Sequence, residues 1–147
     1  MSVTAPVSRT HAGLASTLRI SVMRLARRLR AERADETLTL SQLATLGTLD
    51  RHGRMTLGEL AAHERVQPPS MTRIVSGLEE RGLVVREPHE TDRRLVIVRL
   101  TDEAAQLLTA DRRRRDAWLA RRLRDLSPEE HDALRRAVPV LEKLAAL

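Results

Sequence analysis

The stretch from Gln67 to Thr101, QPPSMTRIVSGLEERGLVVREPHETDRRLVIVRLT, changes its hydrophobic period in mid-course, and few folds accommodate such a change. Up to Leu78 the apolar residues Met71, Ile74, Val75 and Leu78 recur at three- and four-residue spacing, which predicts a helix beginning near Pro68. Proline belongs in a first helical turn, where its missing N–H costs nothing. Gly82 is placed to end that helix as a left-handed residue, with Leu83 closing a Schellman motif. Beyond it, Leu83-Val84-Val85-Arg86 and Leu95-Val96-Ile97-Val98-Arg99-Leu100 are β-branched runs around a polar Pro88–Arg94 segment, a hairpin with a long loop.

The rest of the chain reads as helix. Apolar residues at Leu14, Leu18, Val22, Leu25 and Leu29 predict a long amphipathic helix from Leu14 to about Arg33. Three segments fit the capping-box pattern and mark further starts: Thr39 with Gln42, Thr56 with Glu59, and Ser127 with Glu130. Another start is predicted at Thr101, where Asp102 and Glu103 complement the helix dipole. The predicted order is four helices, a hairpin and two helices. A helix sized for a DNA groove, followed at once by an arginine-tipped hairpin, is the layout of a winged helix-turn-helix. The expected fold class is mainly α with a small β-hairpin wing, a winged helix-turn-helix domain merged with a helical dimerisation domain. The expected divisions are an N-terminal arm and dimerisation helix over 1–37, the DNA-binding region over 38–100 and C-terminal dimerisation helices over 101–147.

Composition limits what this layout can do. The chain has 147 residues, 41% of them hydrophobic and 1% aromatic, enough for one aliphatic core built around helices. A net charge of +6 favours polyanionic partners. Counted by region, the excess is not concentrated in the candidate reading segment: 66–101 carries six Arg against five acids. Absence of cysteine excludes disulfides and thiolate metal sites and fits a cytoplasmic setting. No leader pattern or membrane-spanning run is evident. Catalytic motifs fail on inspection: His63-Glu64 begins like a zinc-protease signature, but Gln67 stands where its second histidine is needed. No metal or other cofactor is expected. The run Arg112–Arg115 wraps most of the way around a helix and reads as a solvated face rather than a DNA-facing stripe.

The segment PPSMTRIVSGLEERGLVVREPHETDRRLVIVRLTDEA resembles the core of the MarR family of bacterial transcriptional regulators, and the likeness in helix order extends over about residues 14–145. Its most specific part is Asp92-Arg93-Arg94 followed by Leu100-Thr101. One departure is Ala104, where the family usually has glycine; a slightly altered helix start is expected. The resemblance implies a homodimer on a pseudo-palindromic double-stranded DNA operator, probing major grooves with helices and minor grooves with wings. It also implies a small-molecule effector in many members, although without cysteine the peroxide-sensing branch is excluded.

Carried over by position, Pro69, Ser70, Met71, Thr72 and Arg73 fall in the front half of the recognition helix, with Ser76 near the backbone. A helix N-terminus offers N–H groups to phosphate, and an arginine donates two bonds to a guanine edge. Arg93 and Arg94 fall at the wing tip, with Arg94 expected to enter the minor groove and Asp92 to steady the loop. Leu14, Leu18, Val22, Leu123, Leu134, Val138, Leu141 and Leu144 are the expected dimerisation residues. Trp118 either packs between helices or lines a ligand cavity, with packing favoured. Two other readings stand beside this one: an architectural DNA-binding protein with little sequence preference, and a winged-helix interaction module that binds no DNA.

Overall fold

The computed structural model describes residues 10–146; the first nine residues of the predicted N-terminal arm lie outside the described residues. The elements are α1 (His11–Ala31), α2 (Leu40–His52), β1 (Met55–Thr56), α3 (Leu57–Glu64), α4 (Pro68–Glu80), β2 (Val84–Pro88), β3 (Val96–Leu100), α5 (Asp102–Leu123) and α6 (Pro128–Ala146). They form a mainly α fold with a small antiparallel sheet in the order β1-β3-β2. None of the described helices is long and apolar enough to cross a membrane.

Local chemistry explains the boundaries. All three capping boxes form: Thr39 and Gln42 start α2, Thr56 and Glu59 start α3, and Ser127 and Glu130 start α6. Each satisfies two backbone donors that a helix start otherwise leaves open. At the end of α4, Gly82 adopts a left-handed φ of 70° while its amide donates to Glu79 and the Leu83 amide donates to Leu78, the paired bonds of a Schellman motif. The end of α3 repeats this turn with an arginine: Arg65 sits at φ 53°, and the Val66 amide donates to Ala61.

Two compact units result, one of residues 33–113 and one of residues 1–32 with 114–147. The division falls inside α5 and not at its start, because the first half of that helix packs with the winged unit. Ala104 and Leu108 join Leu46, Leu60, Met71, Val75, Leu78, Leu83 and Val98 in one buried cluster. Ala104 leaves the helix start regular: its amide donates to the Thr101 hydroxyl at 3.2 Å, and that hydroxyl donates to the Gly82 carbonyl at 2.8 Å.

The sheet has one strand that the sequence reading lacks. Met55 and Thr56 pair with Val98 and Ile97 of β3, so the hairpin is anchored to the chain just before α3. A two-residue strand carries no detectable period, and Thr56 announces itself only as a helix cap. In the other unit α1 and α6 hold no buried residue at all among those described.

Candidate nucleic-acid interface

Helix α4 presents two sharply different sides. Met71, Val75 and Leu78 are fully buried, and half-buried Ile74 packs against them. Pro69, Thr72 and Arg73 are exposed on the opposite side, with Ser70 at its flank. This corrects one residue of the expected contact set. Met71 follows Ser70 by 100° on the helix and turns into the core, so its side chain cannot reach a base edge.

The start of α4 also departs from expectation. Pro68 and Pro69 have no N–H, and the amides of Ser70 and Met71 both donate to the Gln67 carbonyl, at 2.9 and 3.1 Å. The first turn therefore has no free backbone donor for a phosphate. Contacts from this end must come from side chains. Thr72 returns its hydroxyl to the Pro68 carbonyl at 3.1 Å, leaving the guanidinium of Arg73 as an exposed charged donor without an acidic partner among the described residues.

Arg86 on β2 ties this helix to the hairpin. Its guanidinium donates to the Ser76 hydroxyl at 3.1 Å and pairs with Glu79. Ser76, expected near the DNA backbone, is half-buried and serves first as a strut between α4 and β2.

At the hairpin tip, Asp92 accepts from the backbone amide of Arg94 and from its Nε and Nη2, all at 3.1 Å. These bonds, the side-chain ones foremost, hold the Asp92 carboxyl below the usual carboxylate range and push the Arg94 guanidinium further up. The Nδ1 of His89 accepts from the amides of Thr91 and Asp92 at 3.3 and 3.2 Å, closing the turn from the other side. Arg93, between these anchored residues, is exposed and has no acidic partner among the described residues. Sequence reasoning placed both arginines at the tip and gave Asp92 an ion pair that steadies the loop, but did not assign that pair to Arg94. The two-residue spacing of Asp92 and Arg94 is the signal that was available.

The site residues of the helical unit separate by exposure. Leu14, Val22, Leu134, Val138, Leu141 and Leu144 are exposed, while Leu18 and Leu123 are half-buried. Among the described residues, ten of the twelve exposed large hydrophobic ones lie on α1 and α6, the exceptions being Leu40 and Leu95. Trp118 is buried, with the guanidinium carbons of Arg28 and Arg122 at 5.9 and 5.3 Å from its ring.

Comparison with known proteins agrees with this geometry. A model of the MarR family matches residues 38–96. An uncharacterised HTH-type transcriptional regulator of Mycobacterium leprae is 47% identical over 133 residues, covering 90% of this chain and 93% of that protein. The HTH-type transcriptional repressor MdtR of Bacillus subtilis is 29% identical over 136 residues, 90% of this chain and 86% of its own. Among solved structures, a transcriptional regulator from Pseudomonas aeruginosa superposes with a TM-score of 0.84 at 36% identity, covering 95% of this chain and 99% of that one.

Proposed function

We propose that this chain, which belongs to the MarR family of transcriptional regulators, works as a homodimeric repressor that reads a pseudo-palindromic DNA operator. The family is one of regulators rather than enzymes. The observation that carries the reading is the Arg86 bridge: by bonding Ser76 and Glu79 it fixes the outward face of α4 relative to the hairpin that ends in Arg93. Two contact elements held in one geometry can match one groove pattern and reject others. In the reading, Arg73 donates to a guanine edge, Ser70 and Thr72 approach neighbouring bases or phosphates, and the wing lays Arg93 against the minor groove.

Dimerisation is supported by the exposed apolar sides of α1 and α6. A monomer that leaves ten large apolar side chains on two helices about half exposed forgoes roughly half of the ~1.5–3 kcal/mol that complete burial of each would bring. A second copy covers them. Pairing also sets two α4 helices about one DNA turn apart, roughly 10 base pairs. A small effector that favours the dimer with the wrong spacing need supply only about 1–3 kcal/mol to change affinity roughly five- to 150-fold.

The test is a gel-shift titration on the intergenic DNA beside the gene, with scrambled duplex as competitor. The expected result is preference for the intergenic fragment, and in Arg73→Ala a loss of about 1–3 kcal/mol concentrated at one operator position. Equal affinity for both duplexes contradicts specific reading and favours an architectural role.

A further inference from the structure

The positive charge of this chain lies in the wrong place for a protein that holds DNA only through its winged unit. Residues 33–113 contain twelve Arg and thirteen acids, a net of −1, whereas residues 1–32 and 114–147 contain fourteen Arg and Lys against seven acids, a net of +7. The winged unit also neutralises much of its own basicity: Arg54, Arg81, Arg86, Arg94, Arg99 and Arg112 are each paired with an acid.

Helix α1 is the extreme case, with five arginines and no acid. Leu14, Leu18, Val22, Leu25 and Leu29 share one side of it, while Arg24, Arg27 and Arg28, three and four residues apart, share another. All three arginines are exposed, and none has an acidic partner among the described residues. Like charges so spaced repel one another along a helix. The Trp118 ring offsets part of this by facing Arg28 and Arg122 together. An array that costs stability and meets no acid among the described residues is complementary to an anionic partner with repeated charges.

We propose that this arginine face of α1, extended by Arg122, is a second DNA contact that binds duplex phosphates without reading sequence. The proposal rests on the DNA-binding reading above and assigns it a division of labour. The winged unit discriminates between sequences, while the helical unit supplies the long-range attraction that a unit of net −1 lacks. Phosphate contact releases condensed counterions, so each arginine engaged adds to the salt dependence of binding.

The test uses the full-length protein and a mixed-sequence duplex of about 40 base pairs, with affinities measured between roughly 50 and 200 mM potassium chloride. Replacing Arg24, Arg27 and Arg28 together by Gln is expected to lower low-salt affinity about tenfold or more. The slope of log affinity against log salt should fall by about 2–3 per protomer. The matching triple Lys variant should stay within about twofold of the parent, because phosphates require charge rather than a guanidinium.

An unchanged slope in the Gln variant overturns the proposal. So does a Lys variant as impaired as the Gln one, since that marks lost packing on Trp118. If the Gln variant instead loses binding to phosphatidylglycerol vesicles with DNA binding intact, the face belongs to anionic lipid and the proposal fails. Arg73→Ala measured in parallel keeps the two readings apart: it should lower preference for specific over mixed DNA, which the Gln variant should leave unchanged.

Discussion

At the wing tip one carboxylate decides which guanidinium is free to leave the protein surface. Asp92 holds Arg94 through three bonds, so Arg94 can enter a groove only by giving up that pair or carrying the carboxylate with it, whereas Arg93 has neither constraint. Arg93→Ala is therefore expected to weaken DNA binding more than Arg94→Ala, and to lower the salt slope by about 1 per protomer; anisotropy titrations on both variants decide. Asp92 also predicts an acid response. Its folded pKa is depressed, so its contribution to stability is present above the unfolded value near 4 and is lost as pH falls through the lower, folded value. Denaturant titrations at pH 5 and pH 3 should show a smaller acid loss in Asp92→Asn than in the parent. His89 acts on the same turn as an acceptor, and Asn carries an oxygen where the ring has Nδ1. His89→Asn should keep DNA affinity, and His89→Ala should lower it severalfold; equal binding by the two shows that the turn does not depend on this acceptor.

Among the elements, the ends of α3 and α4 make a natural pair. Both close with the same turn, yet the left-handed position is Gly82 in one and Arg65 in the other. A side chain there costs about 1–2 kcal/mol, part of which glycine gives back in unfolded-state entropy. Arg65→Gly should therefore stabilise the fold by about 0.5–1 kcal/mol, read from the midpoint of chemical denaturation, and a destabilised variant contradicts the strain argument. Met71→Ala should cost about 2–5 kcal/mol through the cavity it leaves, since that side chain is fully buried.

These elements also show which features a sequence makes legible. Capping boxes, the Gly82 stop, the amphipathic spacing of α1 and the acidic first turn of α5 are written in local chemistry, and the helices they predict lie within a few residues of those observed. What escaped depends on closure in space. β1 exists only because β3 arrives beside Met55 and Thr56, Met71 is buried only because α2 and α3 lie under α4, and the amides of Ser70 and Met71 that follow the two prolines are both taken up by the Gln67 carbonyl. The pairing of Asp92 with Arg94 lay between the two: near in sequence, but dependent on a turn that His89 helps to form.

At the scale of the whole molecule, the proposed function divides the work between a discriminating unit and a basic, apolar-faced one that would pair with its own kind. Val138→Glu with Leu141→Glu should reduce the mass seen by light scattering from twice the chain mass toward one chain, because both side chains are exposed on α6. Loss of the dimer should weaken operator binding far more than any single contact in the winged unit. The most direct test of the central claim is selection of the purified protein on a pool of random duplexes. The account predicts enrichment of one pseudo-palindrome with half-sites roughly 10 base pairs apart, bound by two chains. A pool that retains DNA through every round without converging on a sequence contradicts it.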